Sequence, residues 1–178
     1  VLVKIMQHCL GKKRLPMVII DSEDTVKNRH SFSARSAGIL GMMQFGFKPF
    51  YALNSDMSLK VDELLVYLKQ FEPTEPVLLF GFTFMVWLHF IRVLEQLKVT
   101  LSLPRSILVH SGGWKKLHDQ AVTSQEFNNR LKEVSGITSA YNFYGMVEQV
   151  GSIFLENNRG YLNAPIFSDV VIRDPFTF

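Results

Sequence analysis

Tyr141-Asn-Phe-Tyr-Gly-Met-Val-Glu148 gathers three aromatic rings, a glycine and a carboxylate into one short stretch. Those residue types suit a flat, charged ligand. Tyr144 can stack on a base or ring. Gly145 lets the backbone come close to what is bound. Glu148 offers the oxygen ligand that a hard cation such as Mg²⁺ prefers. A buried aromatic turn with a surface glutamate would show the same residues. About 30 residues earlier, Ser111-Gly112-Gly113 follows an apolar run. Two adjacent glycines there would allow a close backbone approach and expose N–H groups to a ligand. An ordinary strand-to-loop turn has the same composition.

Other chemistry finds no footing. Gly-x-Gly-x-x-Gly does not occur, and Gly38, Gly41 and Gly46 have the wrong spacing for it. Met6 stands where a phosphate loop ending in Gly11-Lys12 would need glycine, and no Gly-x-Ser-x-Gly elbow is present. The histidines at 8, 30, 89, 110 and 118 lack metal-ligand spacing. His89 reads as structural or solvated. Cys9 stands alone, so it makes neither a disulfide framework nor a zinc site by itself, and beside His8 it reads as a bland small residue rather than a reactive thiol.

These loops need elements to position them, and the pattern alternates. Strands are expected at 17–20, 48–52, 77–80, 106–109 and 138–142, with later ones at 152–155 and 169–172. Helices are expected at 31–46, 58–71, 83–99 and from 123 to about 134. Ile39, Leu40, Met43 and Phe45 are candidates for burial on the first helix. Val61, Leu64, Leu65 and Leu68 make one face of the second, with Ser58 as N-cap. Phe84, Trp87, Leu88, Ile91 and Leu94 face inward on the third, with His89, Arg92 and Gln96 opposite. Thr123-Ser-Gln-Glu126 is a capping box, and Gly136 ends the fourth helix. This order predicts an α/β fold: a mostly parallel sheet flanked by helices, followed by extra strands. Ligands of such sheets sit beyond the carboxyl ends of the strands. The Ser-Gly-Gly loop and the Tyr141–Glu148 segment both fall there.

With 178 residues, 47% apolar and 20% charged, the chain can bury a core and is neither disordered nor a coiled coil. The net charge of +3 is spread. Its densest basic run, Lys12-Lys13-Arg14, has no neighbouring aromatics to stack bases, so no nucleic-acid partner is expected. Val77–Ile91 is free of formal charge for 15 residues, short of the roughly 20 that a membrane span needs. No signal peptide is visible, since Lys4, Lys12 and Lys13 interrupt the start. A cytoplasmic, reducing compartment is expected.

The two loops together resemble the acyl-adenylate-forming superfamily of acyl-CoA synthetases, luciferases and peptide-synthetase adenylation domains. Its members carry a small-Gly-Gly loop followed about 30 residues later by Asn-x-Tyr-Gly-x-Thr-Glu. This chain has Ser111-Gly112-Gly113 and then Asn142-Phe143-Tyr144-Gly145-Met146-Val147-Glu148. One branch is closer. His110-Ser-Gly-Gly-Trp-Lys-Lys-Leu117, Tyr144-Gly-Met-Val-Glu-Gln149, Gly151-Ser-Ile-Phe154 and Asp169-Val-Val-Ile-Arg-Asp-Pro175 look like the LuxE-type acyl-protein synthetases. These are the fatty-acid-activating component of bacterial luminescence. Phenylacetate-CoA ligases are the next most similar group. The resemblance is specific over roughly residues 106–175 and general upstream.

The resemblance implies ATP-dependent activation of a long-chain fatty acid, or another carboxylic acid, to an acyl-adenylate. The acyl group would then pass to a protein thiol on an acceptor such as a reductase. ATP and Mg²⁺ are the implied cofactors. Ser111, Gly112, Gly113, Asn142, Phe143, Tyr144, Gly145, Met146 and Val147 would form the nucleotide and acyl-adenylate pocket. Tyr144 would stack on adenine, and Glu148 would hold Mg²⁺ and serve catalysis. Phe82 would line the acyl tunnel. Val147 departs from the family's threonine and cannot make that residue's phosphate contact. Residues 1–178 are expected to be the central part of an adenylation domain, with the phosphate loop upstream and the C-terminal lid domain downstream. Such a piece would not turn over alone. Three other readings fit parts of the pattern: an aryl- or acyl-CoA ligase, a non-catalytic nucleotide-binding domain, and a flavodoxin-like binding domain.

Overall fold

Strand β1 (Leu15–Ser22) is buried at every position, as a central strand covered on both faces must be. A computed structural model describes residues 1–27, 33–114, 119–145, 152–157, 159–174 and 176–177. β1 pairs in parallel with β2 (Gly46–Leu53) on one side and β3 (Leu78–Phe82) on the other. β4 (Ile107–Ser111) and β5 (Ser139–Tyr144) extend the parallel part, and β6 (Phe154–Glu156) and β7 (Leu162–Asn163) add antiparallel edge strands. The order is β2-β1-β3-β4-β5-β6-β7. The α/β fold with a mostly parallel sheet and extra strands is therefore the one observed.

Helices cover both faces. α1 (Leu2–Leu10) and α3 (Ala34–Met42) bury Ile5, Met6, Leu10, Ile39 and Met42 against Met17, Ile19, Leu78, Phe80 and Val109. A single turn, α2 (Asp24–Lys27), stands before α3. On the other face lie α4 (Val61–Leu68), α5 (Thr83–Val86), α6 (Arg92–Leu97) and α7 (Ser124–Ser135). They close over Val18, Ile20, Leu79 and Leu108 with Leu64, Leu94, Phe127 and Leu131. A π-helical turn, Trp87–Ile91, joins α5 to α6. It brings Trp87, Phe90 and Ile91 inward together and leaves Phe84 and Leu88 half-buried, where a regular helix over 83–99 was expected.

Several boundaries differ for local reasons. α4 begins at Val61 because Ser58 hydrogen-bonds Asp56 instead of capping: its Oγ donates to Oδ1 at 2.6 Å and its N–H at 2.9 Å. Leu40 points outward, 46% exposed, since α3 buries Ser36, Ile39 and Met42. The capping box of α7 is half made. Thr123 accepts from the Glu126 N–H at 3.1 Å, whereas the Glu126 carboxylate lies 3.7 Å from Arg130. Residues 169–172 are not a strand, and β7 is the edge strand instead.

One core contact repairs a flaw in the sheet. The β1–β2 register shifts between Pro16 and Val18, which leaves Met17 off the ladder. The Tyr67 hydroxyl fills in. It accepts from the Met17 N–H at 3.0 Å and donates to the Lys48 carbonyl at 2.8 Å. Burial pushes its pKa up to about 12, so it stays a neutral donor.

Candidate functional site

Parallel pairing places the carboxyl ends of β4 and β5 side by side, with His110 opposite Asn142 and Ser111 opposite Phe143. Side chains alternate between faces along a strand. His110 follows Leu108, and Asn142 follows Ala140, so both open toward the α7 side. Phe143 and Phe82 belong to the opposite face, with Val109.

A cavity of about 860 Å³ lies on the α7 side, bordered by Gly112, Gly113, His110, Asn142, Thr83 and Glu156. Its volume is in the range of ligand pockets, roughly 300–1,000 Å³. The first turn of α7 and Arg159 also reach it. Gly112 takes φ +83°, the left-handed region that glycine enters without strain. A Cβ there would also meet the Phe82 ring at 3.4 Å. A Cβ at Gly113 would meet nothing within 4 Å, so its side faces open space where a ligand could lie against the backbone.

The floor of the cavity is polar and tightly organised. Thr83, the first residue of α5, sits 3.0 Å from His110 Nδ1 and donates to the Ser111 carbonyl at 3.2 Å. The imidazole stacks on Phe127, centroids 4.7 Å apart. Burial lowers the His110 pKa to about 3, because a charged ring would lose its water. His110 is therefore neutral at ordinary pH. Asn142 Nδ2 donates to Glu156 Oε2 at 2.7 Å. Behind them, Trp87 stacks on Phe127 and meets Trp114 edge-on. Arg130 lies 4.6 Å over the Trp87 ring and is held by a bidentate pair with Glu95.

The structure brings some of the expected residues together and separates others. Gly112, Gly113 and Asn142 share the cavity wall. Ser111 is buried beside it and contributes its carbonyl to the Thr83 bond. Tyr144 is half-exposed, 6.4 Å from Phe154, and does not line the cavity. Gly145 is exposed. Phe143 packs half-buried on the other face. Phe82 also lies there, 5.9 Å from Phe80 and against Gly38, and is not among the residues bordering this cavity. Met146, Val147 and Glu148 lie outside the described residues. Among the described residues no cluster of three or more His, Cys, Asp or Glu could hold a metal, and no helix is long and apolar enough to cross a membrane.

Thr83, Glu156 and Phe127 were not expected at the site. His110 stands at the head of the Ser-Gly-Gly loop, without a role of its own in the sequence reading. The usable signal was its place: a polar residue at an inward position of the apolar strand Ile107-Leu-Val-His-Ser111.

A match to one protein family joins this geometry. The family described as acyl-protein synthetase, LuxE, matches residues 1–178, the whole chain. No curated protein and no solved structure matches it.

Proposed function

The chain belongs to the LuxE family of acyl-protein synthetases, and on that premise we propose that it is the central part of an adenylation domain. Its substrates are ATP and a long-chain fatty acid. A carboxylate oxygen attacks the α-phosphorus, the bond to the β-phosphate oxygen breaks, and pyrophosphate leaves. An acceptor protein's thiol then attacks the acyl carbon, AMP leaves, and the thiol proton passes to solvent.

One observation carries this reading. Gly112, Gly113 and Asn142, some 30 residues apart in sequence, border one cavity at the carboxyl ends of adjacent parallel strands. Gly112 and Gly113 give the base a bare backbone to lie against. Asn142 contacts its edge, and Tyr144, two residues further along β5, is the ring assigned to stack on it. Ser111 braces the loop. Phe143 and Phe82 occupy the opposite face, which suits an acyl chain held apart from the base. Gly145, Met146 and Val147 are assigned to the same nucleotide motif. Glu148 would hold Mg²⁺, which would supply positive charge to the phosphate oxygens.

The test is ATP–pyrophosphate exchange by the full-length protein, with Mg²⁺ and a panel of long-chain and aromatic acids. Exchange dependent on long-chain acids supports the proposal. Exchange with aromatic acids alone, followed by transfer to coenzyme A, would replace it with an aryl-CoA ligase.

A further inference from the structure

The hydrogen bonds at the cavity floor decide which atoms of His110 and Asn142 the protein leaves over. The Thr83 hydroxyl has one proton. The Ser111 carbonyl, 3.2 Å away, can only accept. The proton therefore goes to Ser111, and Thr83 Oγ1 accepts from the other neighbour, His110 Nδ1, at 3.0 Å. A neutral imidazole carries a single N–H. With that proton on Nδ1, Nε2 is a bare acceptor. Stacking on Phe127 holds the ring plane.

Asn142 follows the same logic. Glu156 Oε2 only accepts, so the amide must turn Nδ2 toward it, at 2.7 Å. Oδ1 is then the atom left over. His110 and Asn142 are register partners on β4 and β5, roughly 4.8 Å apart in backbone terms. Both border the cavity. The floor thus offers two neighbouring acceptors: Asn142 is turned by a carboxylate that can only accept, and His110 by a hydroxyl whose own proton goes to the Ser111 carbonyl.

An exocyclic amine has two N–H donors and matches such a pair. A carbonyl in its place would set lone pair against lone pair. We propose that His110, held in the Nδ1–H form by Thr83, is a specificity-determining residue that joins Asn142 in accepting from the adenine amine. It thereby selects ATP against nucleotides with a carbonyl at that position. This rests on the nucleotide reading above and gives His110, at the head of the Ser-Gly-Gly loop, a part in that site's base selectivity.

The experiment is calorimetric titration of the full-length protein with ATP and with ITP, which replaces the amine by a carbonyl. The wild type should favour ATP by roughly 10- to 100-fold, because mispaired polar groups at a buried site cost that much. His110→Phe keeps a flat ring on Phe127 and removes the acceptor. It should weaken ATP by about tenfold and leave ITP nearly unchanged, collapsing the ratio. Thr83→Ser should retain the ratio and Thr83→Val should erode it. Two-bond ¹H–¹⁵N spectra of the wild type should show His110 protonated at Nδ1, with the Nε2 resonance shifting on ATP but not on ITP. An ATP/ITP ratio unchanged in His110→Phe overturns the proposal, and so does a wild-type His110 protonated at Nε2. A folded wild type that binds neither nucleotide fails the nucleotide reading itself, and the proposal with it.

Discussion

The carboxyl edge of the sheet carries two buried polar clusters, and only one of them is open. At the end of β1, Asp21 is 1% exposed. Its Oδ1 accepts from the Ser22 N–H and the Thr25 hydroxyl, both at 2.7 Å, and from Arg35, whose Nε also reaches Oδ2 at 2.5 Å. Both carboxylate oxygens are engaged by the protein, and Asp21 does not border the cavity at β4 and β5. At the ends of β4 and β5, His110 and Asn142 each have one atom fixed by the protein and one left over, beside a cavity of about 860 Å³. The strand order reverses between β1 and β3, so the topological rule alone favours the Asp21 end. Satisfaction of hydrogen bonds separates them. A closed cluster holds the fold, and a half-open one is left for a ligand.

The contrast can be broken most forcefully by acid. His110 is lowered from 6.5 to about 3 by burial, so the unfolded chain binds its proton first. Stability from this group is complete above pH 6.5 and is lost as pH falls toward 3, by roughly 5 kcal/mol over the full span. His89 is lowered too, chiefly by burial, and acts in the same direction. Urea unfolding across this range should show His110→Phe with a shallower acid limb than the wild type. Equal limbs would mean that His110 is better hydrated than its surroundings imply.

Arg35→Met attacks the closed cluster. It leaves the Asp21 carboxylate buried without its cation and should cost about 3–5 kcal/mol. ATP affinity per folded molecule should not change, and a weakened affinity would erase the distinction between the clusters. Tyr67→Phe takes a hydroxyl from a second closed site and strands the Met17 N–H and Lys48 carbonyl. The expected loss in chemical denaturation is about 1–3 kcal/mol, again without effect on nucleotide. Thr123→Ala removes the cap of α7, the helix flanking the cavity. It should cost about 1 kcal/mol, the smallest of these changes, read as a shift in denaturation midpoint.

Much of this was legible in the sequence because alternation is a property of the whole chain. Short apolar runs such as Met17–Ile20 and Leu78–Phe80, set between helical stretches, mark buried parallel strands. Elements with weak or mixed signals were missed. α1 is nine residues long and mixes Lys4 and His8 with its buried face. β7 has two residues, both exposed. The π turn at Trp87–Ile91 shifts which side chains point inward, and a regular period of 3.6 cannot show that. The site was half legible. Glycines after a strand announce a loop, so Gly112 and Gly113 stood out. Thr83 and Glu156 reach the cavity only through tertiary pairing, 27 and 14 residues from the partners they lock, His110 and Asn142. Nothing local marks such residues.

Hydrogen–deuterium exchange of the full-length protein with and without ATP compares both ends of the sheet in one experiment. The account predicts slowed exchange in peptides covering 107–114 and 139–145, with 21–27 and 33–36 unchanged. Protection at 21–27 and 33–36 without protection at 107–114 and 139–145 would place the ligand at the closed cluster and contradict it.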